Sequence, residues 1–252
     1  MVGHAFSAAL ILRLVFPRAD AARRRELVRS WSVQLVRIMG LTVQVTGAPP
    51  GDDQSNAMIA ANHVSWLDIF VVSGVRSTRF IAKSEIRDWP IVGWIVERSG
   101  TLFVRRERRR DTARINELVH AALQRGDIVG LFPEGTTTEG DILLPFHSSL
   151  FEPAVANAAH VYPCAIRYEN ADGTLCRQMA FVGELSFMQS LGLAIRQRGV
   201  VARVSFAPPI HAEGRDRRSV TAAAQEAVAS LLGLPSPGTA RRTPGGPPAV
   251  PR

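Results

Sequence analysis

The sequence predicts an α/β fold, a twisted, mostly parallel sheet flanked by helices and preceded by an N-terminal helical hairpin. Three observations carry that expectation. Short runs rich in Val, Ile or Phe recur from Ala57 to Ile210, amphipathic helix patterns lie among them, and a turn-rich break at Thr46 to Asn56 sets the N-terminal segment apart. With 252 residues, 46% of them hydrophobic, the chain has material for a substantial core without a disulfide framework or a structural metal.

The elements follow in order. "ALILRLVF" (Ala9 to Phe16), the basic "ARRRELVR" (Ala22 to Arg29) and "SWSVQLVRIMGLTVQV" (Ser30 to Val45) form an apolar, basic and apolar succession. Arg13 interrupts the first run, which falls short of the ~20 apolar residues of a spanning helix. A secretory signal places its charge before its apolar stretch, the reverse of the order here. Residues 1–50 are therefore expected to form an amphipathic hairpin lying in a membrane interface, and two helices packed on the protein's own core fit the same pattern.

"TGAPPGDDQSN" (Thr46 to Asn56) marks the break to a domain spanning 51–234. Its expected strands are "AMIAAN", "STRFIAKS", "GTLFVRR", "DIVGLFP", "VYPCAIRY", "RQMAFVG" and "VARVSFAPPI". The clearest helices run from Asp111 to Arg125, where Ile115, Leu118, Val119, Ala122 and Leu123 share a face, and from Arg217 to Leu232. From Pro235 onward the chain is rich in Pro and Gly, the composition of a disordered tail over 235–252.

A net charge of +8 suits nucleic acid, anionic headgroups or phosphorylated small molecules, and does not choose among them. Lys83 is the only lysine. Cys164 and Cys176 lack metal-ligand spacing and read as reduced, structural thiols.

Three stretches carry candidate chemistry. In "NHVSWLD" (Asn62 to Asp68), His63 precedes Asp68 by five residues, a spacing that separates them by about 140° on one helix. They meet if a helix begins between them. Ser65 as N-cap with Asp68 three residues on makes an S-x-x-D capping box and leaves His63 on the entering loop. One ring nitrogen can then bond to the carboxylate while the other takes a proton from a hydroxyl. A plain helix cap beside an ordinary loop histidine fits the same residues. "LFPEGTTTEG" (Leu131 to Gly140) gathers hydroxyls, amides and a carboxylate at a strand end, where α/β sheets bind ligands, and equally suits a tight turn. "GTLFVRRERRRD" (Gly100 to Asp111) ends a strand in arginines that can grip phosphate or simply face water.

Taken together, these stretches resemble the glycerolipid acyltransferase family that includes bacterial 1-acylglycerol-3-phosphate acyltransferases. The family's N-H-x-x-x-x-D block is similar to Asn62 to Asp68, its Gly-initiated strand ending in arginine to "GTLFVRR", its F-P-E-G-T block to Phe132 to Thr136, and its proline-bearing strand to "HVYPCAIRY" with Pro163. The resemblance spans about Ala57 to Tyr168. It implies that His63, held by Asp68, is the general base for an acceptor hydroxyl attacking an acyl thioester on coenzyme A or acyl carrier protein, without an acyl-enzyme. It further implies that Arg106, Glu134, Gly135 and Thr136 hold the glycerol-phosphate end of lysophosphatidic acid, with Lys83 as a further phosphate contact and phosphatidic acid as the product. No metal or cofactor is implied. The partners implied are a membrane lipid acceptor, the acyl carrier and the membrane surface, with no nucleic acid, and the implied location is peripheral or monotopic on the cytoplasmic face of the inner membrane.

Departures from the family pattern bear on the acceptor. Thr137 stands where many members have arginine, Arg105 replaces an acid, and "PFHSSLF" with His147 and Ser149 replaces a lysine-glycine pair. A phosphate-free acceptor such as lyso-ornithine lipid is the alternative these changes raise. From other classes, a non-catalytic basic module for nucleic acid or lipid rests only on the arginines at 105–110, and a serine hydrolase lacks a G-x-S-x-G elbow.

Overall fold

A computed structural model describes residues 15–83, 101–104 and 109–237, with backbone alone at 82–83, 102–104 and 109–112. Helix α1 (Ala21–Ile38) starts at Asp20, whose side chain accepts the Arg23 N–H at 2.7 Å. It buries Ser32, Leu35 and Val36 and leaves Arg23, Arg24 and Arg25 exposed.

The next residues correct the expected hairpin. Leu41–Thr46 forms strand β1 at the sheet edge, parallel to β7 (Val200–Phe206). "LTVQVT" alternates apolar and polar residues, a strand's period rather than a helix's, so the expected boundary at residue 50 cuts off part of the sheet. The hairpin's first arm lies in residues 1–14, outside the described residues. Among the described residues no helix is long and apolar enough to cross a membrane.

The remaining strands are β2 (Ala57–Ala61), β3 (Arg79–Lys83), β4 (Leu102–Val104), β5 (Ile128–Leu131), β6 (His160–Glu169) and β8 (Ile210–His211). Their order is β1-β7-β6-β2-β5-β3-β4, with β8 paired to β6. Only the β6–β7 and β6–β8 pairs are antiparallel among the described residues. The expected mixed α/β layering is present.

Helices cover both faces. Along β2, Ala57, Ile59 and Ala61 join the core that includes α1, α2 (Asp68–Val75) and α5 (Phe187–Arg196). Met58 and Ala60 join the other, against α3 (Arg109–Gln124), α4 (Glu152–Ala156) and α6 (Arg217–Leu232). This alternation buries β2 on both sides and explains its unbroken apolar run. In α3, Ile115, Val119, Ala122 and Leu123 are buried, as their spacing predicts.

Two further expectations need correction. "RQMAFVG" is not a strand: Arg177–Met179 is a 3-10 turn, and the following residues run as an irregular strap that buries Met179 and Ala180. Its apolar content serves packing against the loop after β2, where Phe181 N–H donates to the Val64 carbonyl at 2.9 Å. The tail also begins later than Pro235, because Ser236 is buried and Gln225 donates to the Pro237 carbonyl at 2.8 Å. Residues 238–252 lie outside the described residues.

Candidate active site

Parallel pairing brings the loops after β2 and β5 out side by side, with Ala60 opposite Leu131. As β2 ends, the buried Asn62 side chain takes over its pairing with β6: its Nδ2 donates to the Ile166 carbonyl at 3.0 Å and its Oδ1 accepts the Ile166 N–H at 2.7 Å. The next residue is His63.

The chain then turns over four residues, and Asp68, first in α2, points its carboxylate back at the loop. Oδ2 accepts from His63 Nδ1 at 2.8 Å, Val64 N–H at 2.8 Å and Ser65 N–H at 2.9 Å, while Oδ1 accepts the Tyr168 hydroxyl at 2.6 Å. The Asp68 side chain is 0% exposed and that of His63 is 20% exposed. Backbone amides at a helix start favour a carboxylate there. A carboxylate filled with donors can only accept, so His63 carries its proton on Nδ1 and leaves Nε2 as the basic atom.

The capping expectation is half met. Asp68 does reach back to the Ser65 N–H, but the helix starts later, with Leu67 as its N-cap. The Ser65 hydroxyl accepts from Leu67 N–H at 3.3 Å instead of capping at Asp68.

The loop after β5 clamps His63 from the other side. The Phe132 ring stacks on the imidazole, centroids 3.9 Å apart and planes 6° from parallel. Glu134 Oε1 accepts the His63 N–H at 2.7 Å, Glu134 Oε2 accepts the Leu144 N–H at 2.8 Å, and Thr138 N–H donates to the His63 carbonyl at 2.9 Å. Both Glu134 oxygens are thus on backbone amides, and the residue is 4% exposed, so in this structure its carboxylate braces the His63 loop. Burial pushes its carboxyl up to about 7, against the pull of the two amides, and the Asp68 charge adds to the rise.

Gly135 sits in the left-handed region at φ 76°, and a Cβ there would lie 3.3 Å from the His147 ring. Thr136 is exposed on the turn, whereas the hydroxyls of Thr137 and Thr138 donate to the carbonyls of Phe181 and Ile142. Lys83 ends β3 opposite Val104 of β4, which brings its backbone to the same edge of the sheet; its side chain lies outside the description. Arg106 lies outside the described residues.

Tyr168, Phe132 and Thr138 carry contacts that the sequence does not announce. Tyr168 shares a strand face with Cys164 and Ile166, yet its partner Asp68 is 100 residues away. Cys164 and Cys176 are both free and buried, as expected. Among the described residues no group of His, Cys, Asp or Glu gathers to hold a metal.

The model of the family described as Acyltransferase matches residues 42–167. A lyso-ornithine lipid O-acyltransferase of Pseudomonas aeruginosa is 36% identical over 244 residues, 96% of this chain and 92% of that one. A 1-acyl-sn-glycerol-3-phosphate acyltransferase of Neisseria meningitidis is 35% identical over 187 residues, 74% of this chain and 73% of that one. Among solved structures, the 1-acyl-sn-glycerophosphate (LPA) acyltransferase PlsC from Thermotoga maritima superposes with a TM-score of 0.64 at 19% identity, covering 90% of this chain and 86% of that one.

Proposed function

The chain belongs to the Acyltransferase family and is an acyltransferase of the lysophospholipid type, and from that premise we propose that it acylates the free hydroxyl of lyso-ornithine lipid from an acyl thioester. The observation that carries the mechanism is the His63 imidazole held at Nδ1 by Asp68. The acceptor hydroxyl gives its proton to His63 Nε2 as its oxygen attacks the thioester carbonyl. The tetrahedral intermediate then expels the thiolate, which takes the proton back from the imidazolium. Coenzyme A and acyl carrier protein both supply a suitable thioester.

Two observations support this acceptor. The Pseudomonas relative matches along nearly the whole of both chains, whereas the Neisseria relative covers about three quarters. Thr137, which stands where many family members have arginine, turns its hydroxyl to the Phe181 carbonyl and offers no charge to a phosphate. Lysophosphatidic acid is the second reading, favoured by the 35% identity to the Neisseria 1-acyl-sn-glycerol-3-phosphate acyltransferase.

Either acceptor resides in a bilayer, so the protein docks peripherally on a membrane, with the basic flank of α1 toward anionic headgroups. The cytoplasmic face is the face proposed, because acyl thioesters are supplied there.

The test is thiol release from acyl-coenzyme A and acyl carrier protein in detergent, with each lyso-lipid offered separately. Release with lyso-ornithine lipid alone sustains the first reading, and release with lysophosphatidic acid alone transfers support to the second. Release with neither acceptor overturns both.

A further inference from the structure

We propose that Tyr168 is a positioning residue of the acyl transfer, its hydroxyl fixing the Asp68 carboxylate so that Oδ2 stays aligned with His63 Nδ1. The inference rests on His63 serving as the general base.

The geometry begins in β6. Two residues before Tyr168, the Ile166 peptide is bound both ways by the Asn62 side chain. At Tyr168 itself the strand pairs with Ala202 of β7, and its carbonyl accepts the Cys176 N–H at 2.9 Å. Tyr168 is 1% exposed, in the core cluster that also holds Ile166, Met179 and residues of α2. The phenol oxygen is thus held by a rigid strand, 2.6 Å from Asp68 Oδ1.

Asp68 needs such a hold. Its other oxygen takes three donors, all from residues 63–65, so without the phenol every hydrogen bond on the carboxylate comes from the loop it is meant to orient. Tyr168 is the contact that ties the Asp68 carboxylate to the sheet. Burial, the Asp68 charge and the hydrogen bond itself push the phenol well above its ordinary range, which keeps it a donor near neutral pH.

Donation from Tyr168 also draws charge from the carboxylate. A weaker donor leaves more negative charge facing Nδ1 and raises the proton affinity of His63, while a stronger donor lowers it. Among the described residues, the titratable groups facing this unit are Asp68 on α2, Tyr168 and Cys164 on β6, and Glu134 on the loop after β5, with His147 beside the Gly135 turn. Burial and the Asp68 charge both raise the Cys164 thiol, which keeps it neutral.

The chain has two tyrosines, which permits a test in both directions. Tyr162 bonds Gln54 near the opposite end of β6, so Tyr162→Phe leaves Tyr168 as the one site for 3-fluorotyrosine, a stronger donor of nearly the same shape. The kcat/KM profile against pH is compared in wild type, Tyr168→Phe, Tyr162→Phe, fluorotyrosine-loaded Tyr162→Phe and His63→Ala.

Tyr168→Phe is expected to move the acidic limb up by roughly half a pH unit or more and to lower kcat about ten-fold, with KM for the thioester little changed. Fluorotyrosine is expected to move the limb down relative to its Tyr162→Phe parent. A purely structural role lowers the melting temperature and moves neither limb, and that result overturns the proposal. If Tyr168→Phe does not fold, the fluorotyrosine arm decides alone. An acidic limb that disappears in His63→Ala but stays fixed in the Tyr168 arms removes this inference only. Turnover retained in His63→Ala removes the general-base reading and this inference with it.

Discussion

His63 and Phe132 lie ring upon ring, 3.9 Å between centroids and 6° from parallel, and Phe80 stacks behind Phe132 at 5.2 Å. The imidazole is held on one face by this aromatic column and at one edge by Asp68. Its freedom is confined to the edge that bears Nε2, which is the economy a positioned base needs.

The column stands on Gly130. In β5 this residue pairs with Phe80 of β3, and a Cβ there would lie 2.5 Å from Phe80 Cε1 and 2.8 Å from Thr78 Cγ2. Gly130→Ala must displace the Phe80 ring on which Phe132 stacks. The expected outcome is about 1–3 kcal/mol lost in a denaturant titration, together with a fall in kcat of about ten-fold or more as His63 is displaced. Loss of stability with kcat intact would separate the column from catalysis.

Glu134 gives a pH-dependent stability with a definite sign. Its carboxyl goes from 4.5 in the unfolded chain to about 7 in the folded protein, chiefly through burial. The folded state therefore binds more protons between those values, and stability falls as pH rises from about 4.5 to 7. The full effect is about 3 kcal/mol at roughly 1.4 kcal/mol per unit, present below 4.5 and lost above 7. Unfolding midpoints of wild type and Glu134→Gln at pH 5 and pH 8 should show this slope in wild type alone. Parallel slopes would mean that Glu134 stays ionised on its two amides throughout.

Much of this arrangement was legible in the sequence, because motif residues at strand ends converge once the sheet is parallel. His63 and Asp68 meet as their spacing allows, since a turn separates the histidine from the helix start. The amide contacts of Glu134 were not legible, because its partners lie 71 and 10 residues away in the sequence. Tyr168 was hidden for a similar reason, as one apolar-facing strand position among several. β1 was missed because its short alternation adjoins a helix, and pairing with β7 across about 160 residues leaves no local signature.

Ser65 separates capping from chemistry. Its backbone N–H serves Asp68, while its hydroxyl only accepts from Leu67. Ser65→Ala should therefore lose about 1 kcal/mol of stability and retain its turnover. A folded variant without turnover would give the hydroxyl a part in the reaction.

The central claim is that Asp68-held His63 removes the acceptor's proton. The most direct measurement is kcat for thiol release in His63→Ala and Asp68→Asn, with circular dichroism confirming that each is folded. The account predicts a fall of about 10²–10⁴-fold in each. Turnover near the wild-type rate in a folded His63→Ala protein would contradict it.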